Sequence, residues 1–433
     1  MKHILFTILF TGAILANNLP QHYTKVLDNG LKIVAIPMKN GTSVISTNIF
    51  YDVGSRDETM GKSGVAHMLE HLNFKSTKNL KAGEFDTIVK GFGGVNNAST
   101  SFDYTHYYIK SSTKNISKSL ELFSELQANL TLNNDEFQKE RDVVAQERLW
   151  RTDNSPMGFM YFKLFNNAFT YHPYHWTPIG FMNDIKNWNI DDIKDFHKKN
   201  YNPNNSIVVV SGDIEKEVVF DEATKWFENN KNNNEKRQHV LHTTEPKQNG
   251  EKVIVIKKQT AEQMFALSYH IPNFQHKDQV ALSALSELLS SGKSSLLHKI
   301  LIDKKQLLSS IYAYNMELKD PGVFLFVGVC QNKNKAKDAI KVIKNIIKYI
   351  QTDGTTNKEI KKIKINTKSD FVFSLEDSSS VASLYGHYLI RGDISPLMRY
   401  EDAIKNLTTN DIKTVAKKYL INDNLTTIIL KNK

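Results

Sequence analysis

The sequence predicts an α+β chain built twice over, with helices packed on a sheet once in each half. The first observation is a repeat. Asn29–Ile36 (NGLKIVAI) returns as Asn249–Ile256 (NGEKVIVI), and Asp192–Lys199 (DIKDFHKK) returns as Asp411–Lys418 (DIKTVAKK). Two matches at nearly the same offset, about 220 residues, argue for a duplicated unit. The second observation is alternation: strand-like runs are interleaved with helical patterns of about ten to fifteen residues in each copy. The third is 228–240 (ENNKNNNEKRQHV), a polar stretch without apolar periodicity that reads as the linker between the copies.

In the first copy the strand candidates are 43–51, 104–110 and 206–212, and the helical ones 61–75, 115–128, 134–150 and 190–199. The expected domains are therefore 17–227 and 241–433. With 433 residues the chain is long enough for two cores. An apolar fraction of 40% and a charged fraction of 24% are globular values. The net charge of +10 sits in lysine-rich segments such as 334–348 and 358–368, which read as solvated helix faces. No nucleic-acid-binding motif accompanies them, so no nucleic-acid partner is expected.

Residues 1–16 read as a signal peptide. Lys2 and His3 precede an apolar run from Ile4 to Leu15, and Ala16 offers the cut site. The run is too short to span a bilayer, although Ile14 stands where a small residue is preferred and an uncleaved anchor is the alternative. The expected location is the periplasm or the exterior. The lone cysteine, Cys330, lies in an apolar run and reads as a small core residue.

The chemistry concentrates in Ser63–Phe74. Val65, Met68, Leu69 and Leu72 follow i, i+3, i+4, i+7, so the segment is an amphipathic helix, and His67, Glu70 and His71 share the neighbouring stripe. Histidines four apart on a helix reach one tetrahedral zinc, and Glu70 then stands where a carboxylate can deprotonate a zinc-bound water. The third ligand is expected from 134–148, where Glu140 and Glu147 flank Val143 and Val144 on one face. Spacing leaves both glutamates open as the ligand, against a charged helix edge paired with Arg141 and Arg148.

Four segments, Gly64–Thr77 (GVAHMLEHLNFKST), Gly93–Thr105 (GGVNNASTSFDYT), Glu140–Glu147 (ERDVVAQE) and Tyr201–Asp213 (YNPNNSIVVVSGD), resemble in order the pitrilysin family of inverted-motif zinc peptidases. The likeness is to the branch that contains mitochondrial processing peptidase. The resemblance implies two homologous α/β sandwich (roll) domains closing as a clamshell. It implies zinc on His67, His71 and Glu147, Glu70 as general base, and Glu140 in the catalytic set as the carboxylate orienting a ligand histidine. It also implies substrate binding by Asn97 and Ala98 on a sheet edge and by Phe74 in the pocket after the scissile bond. A turn role for Asn97 and core packing for Phe74 are the alternatives.

At the offset of 220, Glu287 stands in place of His67 and Ser291 in place of His71, so one metal site per chain is expected. Single-chain relatives carry an Arg and, seven residues later, a Tyr that grip the substrate; here those positions hold Ile302 and Ser309. The expectation is a zinc-bearing subunit that pairs with a homologous zinc-less chain supplying Arg and Tyr, or else forms a homodimer. The competing expectation is a peptide-binding or chaperone-like clamshell with little catalysis.

Overall fold

The computed structural model describes residues 18–232, 243–331 and 335–432. The expected signal segment, 1–16, lies outside these residues, as does most of the expected linker.

Each half forms one sheet. In the first half the strands are β1 (Tyr23–Val26), β2 (Lys32–Pro37), β3 (Val44–Tyr51), β4 (Val95–Thr100), β5 (Thr105–Ser112) and β6 (Ser206–Gly212), in the order β1-β2-β6-β3-β5-β4. In the second they are β7 (Lys252–Lys257), β8 (Met264–His270), β9 (Leu308–Met316), β10 (Val323–Cys330) and β11 (Leu425–Lys431), in the order β7-β11-β8-β10-β9. Apart from β1 the two topologies are the same. The parallel pair β2/β6 corresponds to β7/β11, and every other neighbour is antiparallel in both. The repeated DIK segments occupy equivalent helices, Ile190–Asn200 and Thr409–Tyr419, each opened by a capping box, at Asn189/Asp192 and at Thr408/Asp411.

One face of each sheet carries its own helices. The other face is covered by a helix from the opposite half. Met160, Leu164 and Phe165 of the helix Pro156–Ala168 pack on Ala266, Leu325 and Ile428 of the second sheet. Reciprocally, Val381, Ala382 and Tyr385 of the helix Ser378–Ile390 pack on Val34, Phe50 and Val209 of the first. Gly386 lets that second helix settle close, because a Cβ there would lie 2.2 Å from the Phe50 ring. The exchange locks the halves together through apolar burial, the dominant favourable term in folding. Cys330 is buried in the second core, and burial pushes its thiol up to about 11. Among the described residues no helix is long and apolar enough to cross a membrane.

Candidate metal centre

The helical pattern expected from 61 begins at Val65 and ends at Asn73. Gly61 and Gly64 take φ of 86° and 90°, which delays the helix. A side chain at Gly64 would also meet Trp188 at 2.7 Å and the Ile179 carbonyl at 2.8 Å. The first turn is held by Glu58, whose carboxylate accepts from the backbone N–H of Gly64 and Ala66, both at 2.8 Å, and from Trp176 Nε1 at 2.9 Å. Helix N–H groups without intrahelical partners are thereby satisfied in a buried place. Val65, Met68, Leu69 and Leu72 are buried in the first core, which turns His67, Glu70 and His71 towards a crevice.

In that crevice Glu147 Oε2 lies 3.7 Å from His67 Nε2 and 3.3 Å from His71 Nε2. Bonds of about 2.0–2.2 Å in a tetrahedral zinc site put neighbouring ligand atoms about 3.3–3.6 Å apart, so the two nitrogens and the carboxylate fit one ion. Among the described residues this is the only group of three or more His, Cys, Asp or Glu side chains able to hold a metal. Glu140 stands behind it: Oε1 is 2.9 Å from His71 Nδ1 and Oε2 is 2.7 Å from Lys75 Nζ. Geometry thus separates the two glutamates that spacing left equivalent.

The electrostatics differ between the two rings. Burial, with His71 alongside, pushes His67 down to about 4. Burial also pulls on His71, but its bonds to Glu140 and Glu147 win and raise it to about 9. Glu70 is raised, first by burial, and its Oε2 accepts from Thr100 Oγ1 at 2.6 Å. A carboxyl lifted towards neutrality is better suited to taking a proton.

The crevice has a volume of about 1000 Å³ and is bordered by β4, the edge strand of its sheet. Asn97 is exposed on that edge and Ala98 half-buried. Phe74 borders the crevice and also stacks edge-on against Phe85 and Tyr107, at 5.4 and 5.7 Å, so both of its expected surroundings occur together. Sequence reasoning passed over Thr100, although strand alternation from Ala98 puts it on the same face. It also passed over Lys75, over Glu58, and over Arg151, whose Nε is 3.1 Å from Glu147 Oε1.

The second half requires one correction. The burial sequence of 65–74 recurs residue for residue at 281–290, an offset of 216 rather than 220. The connection leading into the second helix is shorter by one helical turn. Ser283, Ser286 and Glu287 therefore take the places of His67, Glu70 and His71, and Glu287 does not correspond to His67. The ligand histidines are still absent. Ile302 is half-buried against the second core, and Ser309 is exposed on β9.

Residues 33–173 match the family described as Insulinase (Peptidase family M16), and residues 187–367 match the Peptidase M16 inactive domain. The chain is 52% identical to "Zinc protease PqqE" of Helicobacter pylori over 95% of this chain and 93% of that protein. It is 24% identical to "Probable mitochondrial-processing peptidase subunit beta" of Arabidopsis thaliana, over 93% and 76%. Among solved structures, a protease from Helicobacter pylori superposes with a TM-score of 0.94 at 51% identity, covering 95% of this chain and 100% of that one. The first half of the periplasmic protease PqqL from Escherichia coli shares the fold, with a TM-score of 0.77 at 20% identity over 96% and 93%. Likeness to a zinc protease across nearly both full lengths, joined to the inverted histidine motif, shows that this chain belongs to peptidase family M16.

Proposed function

We propose that the chain is a zinc-dependent endopeptidase acting on extended peptides or small proteins. The observation that carries this is the convergence of His67, His71 and Glu147 beside Glu70 in a crevice bordered by an open strand edge. Bound there, zinc would supply Lewis acidity, polarising the substrate carbonyl and bringing a water pKa towards neutrality. Glu70, oriented by Thr100, accepts the water proton and passes it to the leaving amine. Glu140 and Lys75 hold the His71 ring in place through Nδ1. The β4 edge, with Asn97 and Ala98, pairs with substrate backbone, and Phe74 contributes to the pocket beyond the scissile bond.

Glu70→Gln is expected to abolish peptide hydrolysis while zinc content stays near one per chain. A variant that still turns over peptide overturns Glu70 as the base.

We further propose that the chain is the zinc-bearing subunit of a pair, with a homologous zinc-less partner providing the Arg and Tyr missing at Ile302 and Ser309. A homodimer is the other arrangement. Loss of a transition-state donor costs about two to three orders of magnitude in rate. The second reading, a peptide-binding family member with little catalysis, is favoured by the same two positions. Full peptidase activity of the purified chain alone excludes both the obligatory partner and that second reading. The apolar run at Ile4–Leu15 supports a periplasmic or secreted location.

A further inference from the structure

The side chains of the metal centre have outer partners: His71 has Glu140, Glu70 has Thr100, and Glu147 has Arg151. The last pair is the least expected, because the Arg151 side chain is 66% exposed and that of Glu147 only 16%. Ion pairs with so exposed a partner contribute little to stability. The place of this one in the crevice gives it another use.

Glu147 divides its two oxygens. Oε2 lies 3.7 Å from His67 Nε2 and 3.3 Å from His71 Nε2, where one ion would join all three side chains. Oε1 instead meets Arg151 Nε at 3.1 Å. Arg151 lines the crevice, and its guanidinium lies 5.8 Å from the centre of the Trp150 ring. Among the described residues that guanidinium has no hydrogen-bond or ion-pair partner besides Glu147.

The backbone beneath Arg151 is fixed from both sides. The helix Asn134–Arg148 runs on into a π-helical turn, Leu149–Asp153, closed by the Asn154 N–H donating to the Leu149 carbonyl at 2.7 Å. Wide turns of this kind are rare and recur at functional sites. Arg148, 4% exposed, braces the turn: Nε and Nη2 donate to Asp153 Oδ1 at 3.2 and 3.1 Å, and Nη1 donates to the Gly180 carbonyl. Its guanidinium also lies 3.9 Å from the centre of the Phe162 ring. Opposite, the helix Pro156–Ala168 closes on the turn at Gly158, where a Cβ would run into the Arg151 carbonyl oxygen. Arg151 is thus left with only its side chain to move. Its spacing of four from Glu147, acid before base, is the favourable order for a contact along one helix face.

A catalytic zinc takes three protein donors and keeps a fourth place for water or substrate. A carboxylate can give a metal one oxygen or both. Two oxygens from Glu147 would bring the protein donors to four and crowd the open place. Passing between the two modes needs only a rotation of the carboxylate, so a modest hold on the second oxygen decides which is adopted.

We propose that Arg151 is a positioning residue that holds Glu147 Oε1 off the metal, so that Glu147 binds through Oε2 alone and the fourth place stays open. That an ion sits there rests on the zinc-peptidase reading.

The test loads the full chain with cobalt(II), whose visible absorption is strong in four-coordinate sites and weak in five-coordinate ones. Arg151→Met keeps the aliphatic stem and removes the charge, and Arg151→Lys keeps the charge. We expect Arg151→Met to lower the wild-type absorption to five-coordinate strength and Arg151→Lys to restore part of it. The unfolding midpoint of the metal-free chain should not move, whereas a merely structural role would move the midpoint and leave the spectrum alone. With peptide as substrate, kcat of the zinc-loaded Arg151→Met chain should fall about tenfold at unchanged KM, the low end of the usual cost of losing an outer partner. Identical spectra of wild type and Arg151→Met overturn the inference. So does a raised KM at wild-type kcat, which would make Arg151 a substrate contact. A wild-type chain that hydrolyses no peptide sinks the peptidase reading and leaves the spectra to decide the role of Arg151. A chain that takes up no cobalt sinks the metal centre and the inference together.

Discussion

Glu140→Gln isolates what the carboxylate behind His71 does. Glu140 is 8% exposed and divides its oxygens between His71 Nδ1 at 2.9 Å and Lys75 Nζ at 2.7 Å. Glutamine keeps the shape and loses the charge. One carboxamide oxygen cannot replace both carboxylate contacts, and its NH₂ must then face either the ring N–H or the lysine ammonium. Hydrogen bonds to charged groups contribute about 1.5–3 kcal/mol, so losing one weakens zinc by about ten- to a hundredfold. That agrees with the usual effect of removing a group that orients a metal-binding histidine. The assay is competition with a chelator of known affinity. It is best run at pH 9 or above, because His71 of the metal-free chain holds its proton up to about 9. Zinc affinity within twofold of wild type would show that helix packing alone orients His71.

The other predictions concern the frame and the metal. Glu58→Ala strands the two buried N–H donors of Gly64 and Ala66, each costing about 1–3 kcal/mol, while Trp176 Nε1 keeps the Ser55 carbonyl at 3.0 Å. It should lower the unfolding midpoint and zinc affinity together; zinc affinity unchanged in the folded fraction would mean the cap does not position the ligands. Gly386→Ala drives a methyl to 2.2 Å from Phe50, and overpacking of this kind costs about 1–3 kcal/mol, read by denaturant unfolding. Asp320 is held below the ordinary carboxylate range: burial opposes this, but its bonds to His172 and Arg56 win. A depressed folded-state pKa stabilises above the unfolded value, about 4, and that stability is lost as pH falls through the folded value. Asp320→Asn should therefore flatten the acid limb of stability against pH, and an unchanged limb would refute the assignment. Chelation should abolish hydrolysis and lower the unfolding midpoint, with both restored by zinc.

Much of this was legible because it is periodic. The apolar stripe Val65, Met68, Leu69, Leu72 fixed which residues face away from the core, and the core did bury that stripe. The offset of two short matches revealed the duplication, which the common strand order supports. Spacing could not separate Glu140 from Glu147, since residues i and i+7 share a helix face; their roles differ because one helix crosses the other at a particular height. The 220 offset held for β2 and β7 and to within a residue for β6 and β11, and failed at the helix Val65–Asn73, whose counterpart comes one turn earlier, at an offset of 216. The exchange of the helices Pro156–Ala168 and Ser378–Ile390 was also hidden. An apolar helix face says that it will be covered, and not which sheet will cover it.

That exchange bears on how the site is completed. Helix Pro156–Ala168 contributes Gly158 and Tyr161 to the metal crevice while its apolar face is fixed to the second sheet. This wall of the metal crevice and β9 are thus coupled through packed side chains, Tyr161 meeting Met316, and packed interiors do not deform continuously. Moving Ser309 or a neighbouring β9 residue into the place of a missing substrate-gripping side chain would require breaking that packing. Tyr312 and Tyr314 are half-exposed on the same strand, but they are set by a register of eight β9–β10 pairs. A donor brought by a second chain has no such constraint. It can approach across the open side of the crevice, where β4 has no strand neighbour. This packing is a physical reason for the proposed partner chain, which co-purification of a stoichiometric homologue would test.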